Sequence, residues 1–179
     1  MSSPPESEIA ALRGLIRSIP DFPRPGIVFR DVTPLFADPA GLRSAVDLLA
    51  ERLAGEGPVD YVCGAEARGL ILGPALALRL GAGFIPARRE GKLPAATERA
   101  AYELEYGAAE LHVHADAIRP GARVVVHDDL IATGGTAAAL GELVGRLGGD
   151  VVAYGFLIEL ADLHGRDRLA APSHALIDF

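Results

Sequence analysis

The sequence predicts an α/β fold in which a mainly parallel, twisted sheet is flanked by helices. Short apolar and β-branched runs alternate with segments whose apolar residues recur at helical spacing. The run Val124–Val126 is apolar throughout, as in strands that are buried on both faces of a parallel sheet. Outside the sheet, prolines and apolar residues near the start of the chain indicate a structured segment, here called the hood, and an alternating pattern over Tyr102–Gly107 indicates a strand that leads into a turn, in the segment here called the β-flap.

Length and composition indicate one globular domain. The chain has 179 residues, half of them hydrophobic, which is enough for a well-buried core. We expect a single domain over residues 1–179, with the hood at about 1–35 and the core at about 36–179. The core includes the flap, at about 92–110.

Charge and cysteine content exclude several classes of protein. The formal net charge of −7 argues against a general nucleic-acid binder, and no apolar run approaches the length of a membrane span. The start of the chain lacks the pattern of a secretion signal. The single cysteine, Cys63, cannot form an internal disulfide, so we expect a cytoplasmic protein in which this thiol is buried.

Apolar residues at helical spacing predict four helices. Pro20 ends the first helix, and the glycine-rich segment Gly55–Pro58 ends the second. Pro74 is expected either near the start of the third helix, where proline is tolerated, or at a kink within it. The predicted helices are Ile9–Ile19, Leu42–Leu53, Leu70–Leu80 and Ala137–Leu147.

Apolar runs between these helices predict the strands of the sheet, and an alternating pattern over Tyr102–Gly107 predicts a flap strand that leads into a turn. Leu160–Leu169 and the tail Ala175–Phe179 are expected to cover the core. The predicted sheet strands are Val59–Gly64, Gly83–Ala87, the run from Gly121 to Asp128, and Val151–Ile158.

The segment Ile19–Leu35 contains four prolines and one glycine, which disfavour a regular helix. Its apolar residues, among them Phe22 and Val28, are too many for a solvated linker. We therefore predict a structured loop that lies over another part of the molecule. From the residues alone, a purely structural loop packed on the core remains the alternative.

The central motif of the sequence is Val124–Thr136, where an apolar strand is followed by two acids and the turn Thr-Gly-Gly-Thr. Asp128 and Asp129 fall at the carboxyl end of the strand, the edge at which open α/β sheets bind ligands. The turn offers hydroxyls and backbone N–H groups to an anion at the start of the next helix. Acids that can hold sugar hydroxyls beside an anion cradle predict a ribose-5-phosphate site. The alternative is an ordinary strand–turn–helix with solvated acids.

Three histidines have alternative interpretations. His127, within the central strand, is expected to be packed and hydrogen-bonded, and the alternative is that it tunes the neighbouring carboxylate. His112 and His114 share one face of a strand, but no third ligand is near in sequence, which disfavours a metal site.

Clustered cations are expected at the same edge of the sheet. The turn Ala65–Gly69 follows a predicted strand and carries Arg68. Arg88, Arg89 and the single lysine of the chain, Lys92, form a dense basic cluster in an otherwise acidic protein. Such a cluster suits pyrophosphate, although a surface ion pair or a solvated basic turn remains possible.

These motifs, in this order, resemble those of the adenine phosphoribosyltransferases, which are type I phosphoribosyltransferases. The resemblance covers nearly the whole chain and departs at His127, where the family usually has an aliphatic residue. It implies transfer of the phosphoribosyl group of phosphoribosyl pyrophosphate (PRPP) to adenine, giving AMP and pyrophosphate, with Mg²⁺ as cofactor in a cytoplasmic homodimer that serves purine salvage. The matching motifs are the hood, Glu66–Gly69, Gly91–Pro94, Leu104–Gly107 and Val124–Thr136.

The resemblance also implies roles for individual residues. Asp128 and Asp129 hold the ribose hydroxyls, Glu105 manages a proton on the purine, and Mg²⁺ binds mainly through PRPP oxygens, with no protein ligand assigned. The family usually has a cis peptide at the bond that matches Glu66–Ala67, and Glu159 is expected near the base. The 5′-phosphate residues are Ala132, Thr133, Gly134, Gly135 and Thr136; the pyrophosphate residues are Glu66, Ala67, Arg68, Arg88, Arg89, Lys92 and Tyr106; the adenine residues are Val28, Arg30 and Leu130.

Two other functions are compatible with the motifs. One is a PRPP-dependent transferase for another purine base, because Val28 and Arg30 do not by themselves exclude an oxopurine. The other is a non-catalytic regulator that senses PRPP or nucleotides. Such regulators generally need a nucleic-acid surface, and the sequence shows neither a helix-turn-helix nor a basic face.

Overall fold

The computed structural model describes residues 6–103 and 108–179. The chain forms two compact units, and the boundary between Leu48 and Leu49 falls within a long helix. None of the helices in these residues is long and apolar enough to cross a membrane.

The first unit contains helices and an antiparallel hairpin. The first helix ends at Gly14, so the prediction of a helix as far as Ile19 is wrong. Arg17–Pro20 is instead a strand, held to its partner by an ion pair between Arg17 and Asp31, with Nη2 and Oδ2 2.5 Å apart. The elements are α1 (Glu6–Gly14), β1 (Arg17–Pro20), β2 (Val28–Asp31), α2 (Thr33–Ala37) and α3 (Pro39–Leu53), which continues into the second unit.

The proline-rich segment is more regular than predicted. Its prolines lie at the end of β1, in the connection to β2 and in the first turn of α2, where a missing N–H costs little. Asp31 accepts hydrogen bonds from the backbone N–H of Thr33, at 2.9 Å, and from its hydroxyl, at 2.6 Å. These bonds fix the start of a short helix that the proline count had argued against.

The second unit is built on a five-stranded parallel sheet, whose strands lie in the spatial order Gly83–Ala87, Tyr61–Ala65, Arg123–Ile131, Asp150–Glu159 and Ser173–Asp178. The predicted α/β class, with a parallel sheet flanked by helices, is confirmed. The last strand was not expected, because the C-terminal tail had been interpreted as a cover for the core. The elements are β3 (Tyr61–Ala65), α4 (Gly69–Leu80), β4 (Gly83–Ala87), β5 (Thr97–Glu103), β6 (Ala108–His114), β7 (Arg123–Ile131), α5 (Gly135–Arg146), β8 (Asp150–Glu159) and β9 (Ser173–Asp178).

The core of this unit lies on both faces of β7. Val124, Val125 and Val126 are all buried, as the apolar run predicted. On the face of Val124 and Val126, side chains of α5 such as Leu140 and Leu143 join one apolar cluster with residues of β6 and β8. Burying each of these apolar side chains stabilises the fold by about 2 kcal/mol. The cluster therefore holds β7 against α5 and its neighbouring strands.

The flap is an antiparallel hairpin of β5 and β6. One of its faces carries Ala100, Leu111 and Val113, which are buried in the same apolar cluster. The tip of the flap, residues 104–107, is outside the part of the chain that the structure describes. The base of the flap is therefore fixed to the core by ordinary apolar packing.

Candidate active site

Asp128 and Asp129 lie near the carboxyl end of β7, which continues to Ile131 rather than ending at the acids as the sequence predicts, and both line a cavity of about 200 Å³. The backbone N–H of Asp129 donates a hydrogen bond of 2.9 Å to Asp128 Oδ1, which fixes the first carboxylate. The second carboxylate is buried, and its Oδ2 lies 3.1 Å from Arg68 Nε. The structure thus brings together the acids and the arginine that the sequence had placed at one sheet edge. The cavity is lined by Arg68, Asp128, Asp129, Leu130, Ile131, Ala132, Thr133, Gly134, Gly135, Thr136 and Ala137.

The electrostatics of the acid pair favour hydrogen-bond donors as ligands. Burial raises the pKa of Asp128 well above its usual range, and the neighbouring Asp129 carboxylate raises it further. Burial also raises the pKa of Asp129, although the guanidinium of Arg68 opposes this rise. Burial removes water from both carboxylates. A hydroxyl or a cation that enters the cavity therefore stabilises them, through a hydrogen bond or an opposite charge.

The small-residue turn closes the other side of the cavity. Gly134 has a φ of +79°, a conformation that favours glycine, and it precedes the first residue of α5. Its carbonyl accepts the N–H of Ala138 at 2.9 Å, so α5 starts at Gly135 rather than at Ala137. The first N–H groups of a helix have no partner within the helix, and here they border the cavity.

Gly69 allows the loop after β3 to approach the acids closely. A β-carbon at this position would lie 2.8 Å from the carbonyl oxygen of His127 and 3.1 Å from Asp128 Oδ1. Both distances are shorter than van der Waals contact, so only glycine fits here without a shift. The glycine therefore brings Arg68 to the end of β7, and the Glu66–Ala67 bond of this loop is cis, as predicted.

The predicted pyrophosphate residues form a second group around Glu66. One carboxylate oxygen, Oε2, accepts hydrogen bonds of 2.9 Å from Arg88 Nε and from the backbone N–H of Arg89. These bonds lower the pKa of Glu66, with the Arg89 N–H as the largest cause. Glu66 thus holds the basic segment in place, while the side chains of Arg89 and Lys92 are exposed.

The basic segment is also joined to the flap. The backbone of Arg88 pairs with that of His112: the His112 N–H donates to the Arg88 carbonyl at 2.7 Å, and the reverse bond is 2.9 Å. His112 is buried, and its Nδ1 lies 3.1 Å from the hydroxyl of Thr97. Contacts at this histidine thus join β5, β6 and the end of β4.

His127 is a packed, hydrogen-bonded residue, as predicted. It is completely buried, and its Nδ1 lies 2.8 Å from the carbonyl oxygen of Gly155. A carbonyl only accepts, so Nδ1 carries the proton of this hydrogen bond, and the lowered pKa of the buried ring keeps it neutral at neutral pH. Burial lowers the pKa of His127 to about 4.

The residues expected to contact the base are partly described. Val28 is exposed on β2 of the first unit, and Arg30 of the same strand is half-buried. Leu130, in the second unit, lines the cavity beside the acids. Glu105 and Tyr106 lie outside the described residues, so their predicted roles remain predictions.

A feature absent from the sequence analysis lies behind the small-residue turn. The place of Glu159 near the base stays a prediction, and its carboxylate accepts hydrogen bonds from Arg166, whose Nε lies 2.6 Å from both oxygens. The residue before this arginine, Gly165, contacts the backbone of Gly134. No sequence pattern marked Gly165 or Arg166, because both lie in a short connection without periodicity.

No metal cage is preformed in residues 6–103 and 108–179, where no three His, Cys, Asp or Glu side chains gather as metal ligands. The cavity nevertheless presents carboxylate oxygens, which are the ligands that Mg²⁺ prefers. These residues fit a magnesium ion that is held mainly by a phosphorylated ligand. Buried Cys63, whose pKa burial raises to about 12, is not suited to metal or nucleophilic chemistry.

The chain is similar to known proteins in sequence and in structure. A scan against models of protein families gave no match. The chain is 52% identical over 182 residues to an adenine phosphoribosyltransferase of Sorangium cellulosum, covering 98% of this chain and 90% of the relative. Among solved structures, it is similar to adenine phosphoribosyltransferase from Rhodothermus marinus, with a TM-score of 0.91, 48% identity and coverage of 98% and 100%. It is also similar to the Saccharomyces cerevisiae enzyme in complex with adenine and an imino-altritol bisphosphate, with a TM-score of 0.92, 41% identity and coverage of 96% and 99%.

Proposed function

Since this chain belongs to the adenine phosphoribosyltransferase family, with a type I phosphoribosyltransferase fold, we propose that it uses the cavity at the end of β7 to transfer the phosphoribosyl group of PRPP to adenine. AMP and pyrophosphate are the products. We propose that both units of the chain act together as one phosphoribosyltransferase domain. The observation that carries the proposal is that Arg68, the acid pair and the small-residue turn line one cavity together.

Asp128 and Asp129 bind the 2′ and 3′ hydroxyls of the ribose in this proposal. Their depleted hydration makes hydroxyl donors favourable ligands, and the fixed carboxylates orient the sugar. Positive charge develops on the ribose ring as the bond to pyrophosphate breaks. The same carboxylates stabilise that charge because they are already in place and need no reorganisation.

The turn of Ala132–Thr136 binds the 5′-phosphate. Backbone N–H groups at the start of α5 and the hydroxyls of Thr133 and Thr136 supply donors, and the positive end of the helix dipole adds to the attraction. The separation of acids and donors within one cavity fixes the direction of the sugar. The anomeric carbon is thereby directed away from the turn.

Pyrophosphate is bound by the loop of Glu66, Ala67 and Arg68 together with the basic segment that carries Arg88, Arg89 and Lys92. Glu66 orients this segment through its hydrogen bonds to Arg88 and Arg89. When bound, Mg²⁺ would be held mainly through PRPP oxygens and would neutralise part of the negative charge of the departing pyrophosphate. The exposed side chains of Arg89 and Lys92 remain available for a polyanion.

Adenine is bound by Val28 and Arg30 of the hood and by Leu130. Glu105 of the flap manages a proton on the purine, and Tyr106 binds beside the pyrophosphate. Removal of a proton raises the nucleophilicity of the purine nitrogen, and exclusion of water protects the reactive ribose from hydrolysis. These roles rest on the match between this sequence and the motifs of the family.

We also propose a cytoplasmic homodimer that serves purine salvage. The lone cysteine leaves no disulfide to form, which suits a reducing compartment. Ile71 and Leu78 of α4 are seven residues apart and are 52% and 83% exposed, so they lie on one face of the helix and offer an apolar surface to a partner. Light scattering on Leu78→Asp beside the unchanged protein tests this surface, since a monomer is expected for the variant.

The experiment that tests the proposed function measures AMP formation by the double variant Asp128→Asn, Asp129→Asn. We expect kcat to fall by at least about a hundred-fold, because the charges that act on the transition state are lost. Asp116→Asn, at an exposed carboxylate outside the cavity, is the matched control and should leave kcat unchanged. Near-normal turnover of a folded double variant would contradict the assignment of the site.

A further inference from the structure

The back of the phosphate turn is built against a second glycine. A β-carbon on Gly134 would lie 3.0 Å from the carbonyl carbon and 3.2 Å from the Cα of Gly165. Conversely, a β-carbon on Gly165 would lie 2.9 Å from the backbone nitrogen of Gly134 and 2.9 Å from Ile131 Cγ1, and would also meet the carbonyl oxygen of Ala132. The two backbones are therefore in direct contact, with no room for a side chain on either.

An ion pair holds Gly165 in that position. The neighbouring Arg166 donates from Nε to both oxygens of Glu159 at 2.6 Å and from Nη1 to the carbonyl of Ser173 at 2.8 Å. Glu159 is the last residue of β8 and is largely buried, and Ser173 is the first residue of β9. One guanidinium thus fixes the short helical turn Gly165–Arg168 to the ends of two strands of the sheet.

A further hydrogen bond links this segment to the strand of the acids. The N–H of Leu160 donates to the carbonyl of Ile131 at 3.0 Å. Segment 160–168 therefore leaves β8 beside the end of β7 and returns to the turn that follows it. The turn is held from two sides: by α5, through the bond from Ala138 to Gly134, and by Gly165.

We propose that the ion pair of Glu159 and Arg166 is a positioning device for the 5′-phosphate, because it presses Gly165 against Ala132–Gly134 and so keeps the phosphate turn in its binding conformation. This inference rests on the proposed function, in which that turn binds the 5′-phosphate of PRPP. Neither Glu159 nor Arg166 lines the cavity, so both act through the backbone. A turn whose N–H groups are preorganised binds an anion without a cost of rearrangement.

The test is a comparison of two probes that occupy different parts of the site. Calorimetric titration measures Kd for ribose-5-phosphate and, separately, for magnesium pyrophosphate. Gly165→Ala and Arg166→Gln should raise Kd for ribose-5-phosphate by about ten-fold or more, since small displacements of a binding group have effects of this size. Kd for pyrophosphate should change by less than about two-fold, because the residues proposed to bind pyrophosphate lie in the loop after β3 and in the basic segment, not in the turn that Gly165 contacts.

Two further variants separate positioning from a general loss of structure. Gly145→Ala is the matched control, because Gly145 lies in α5 with no atom within 4 Å of a β-carbon at that position, so both affinities should be unchanged. Arg166→Lys keeps the charge and loses the fork that binds both oxygens of Glu159. It should give a rise in Kd for ribose-5-phosphate between those of the unchanged protein and Arg166→Gln.

The possible outcomes are distinct. An unchanged Kd for ribose-5-phosphate in folded Gly165→Ala and Arg166→Gln would overturn the inference while leaving the proposed function intact. An equal rise for both probes would also overturn it, because that result indicates a general structural role. If the unchanged protein fails to bind ribose-5-phosphate, the proposed function itself fails, and this inference fails with it.

Discussion

Arg68 and Asp129 form an ion pair across the end of the sheet, with Arg68 Nε 3.1 Å from Asp129 Oδ2. The arginine belongs to the loop after β3, and the aspartate lies near the carboxyl end of β7. In the proposed function these two residues bind pyrophosphate and ribose, the two groups that separate in the reaction. The pair therefore links the binding of the leaving group to the charge beside the ribose.

Substitution of Arg68 by Gln should lower kcat/KM for PRPP by at least about ten-fold, because pyrophosphate loses a cation and Asp129 loses its partner. The effect should be smaller in an Asp129→Asn background, giving a coupling energy of roughly 1 kcal/mol in a double-mutant cycle. Steady-state kinetics of the four proteins measures this energy. Arg119→Gln, which removes an exposed ion pair with Asp60, is the control and should show no change. Strict additivity of the two substitutions would contradict the coupling.

Replacement of Gly69 by alanine should impair the site without any change of charge. The added methyl group would meet the carbonyl of His127 and the carboxylate of Asp128, so the loop that carries Arg68 must move away. We expect a loss of about 1–3 kcal/mol in the free energy of unfolding, as for overpacked positions, together with a raised KM for PRPP. Urea denaturation and steady-state kinetics measure the two effects. Gly55→Ala is the control, because a β-carbon at Gly55 has open space around it, and this variant should leave KM unchanged. An unchanged KM in Gly69→Ala would show that the close approach of the loop to the acids has no role in binding.

The buried His127 should make the stability of the protein depend on pH. Its pKa is about 4 in the folded protein, below the ordinary value of 6.5 that applies to the unfolded chain. Protons therefore bind the unfolded chain more tightly, and the free energy of unfolding decreases as the pH falls from about 6.5 towards 4. The total loss is roughly 3 kcal/mol, from 1.36 kcal/mol for each pKa unit.

The contribution of His127 is isolated by comparison with His127→Val. The acid pair and the other titratable groups are present in both proteins, so their effects cancel to first order in the difference between the two stability curves. That difference should change by more than about 1 kcal/mol between pH 6.5 and pH 5 when measured by urea denaturation. Parallel curves over this interval would contradict the assignment of a neutral, buried histidine.

The fold of the second unit was predictable because its elements depend on local patterns. The apolar run at Val124–Val126 indicated a strand buried on both faces, and the helical period of α5 is continuous in sequence. The edge strand β9 was missed because its pairing with β8 is a long-range contact in a short tail. The hairpin of β1 and β2 was missed for a similar reason, since the ion pair of Arg17 and Asp31 joins residues that lie far apart in sequence.

The candidate site was predictable where several functional residues are adjacent in one sequence motif. Asp128, Asp129 and the small-residue turn are adjacent in sequence, and the rule that ligands bind at the carboxyl edge of the sheet added Arg68. The supporting contacts were not predictable, because a close approach such as that of Gly134 and Gly165 leaves no periodic signal. The same holds for the carboxylate of Glu66, whose partners Arg88 and Arg89 follow another strand, β4.

Transfer to adenine is tested by measuring the release of pyrophosphate from magnesium PRPP with adenine, hypoxanthine, guanine or xanthine supplied separately. We expect rapid release with adenine, matched by formation of AMP, and little release with the three oxopurines. Release with an oxopurine instead would keep the reaction at the ribose and contradict the assignment of the base. Absence of release with every base, in a protein that still binds PRPP, would contradict catalysis and indicate a PRPP-binding regulator.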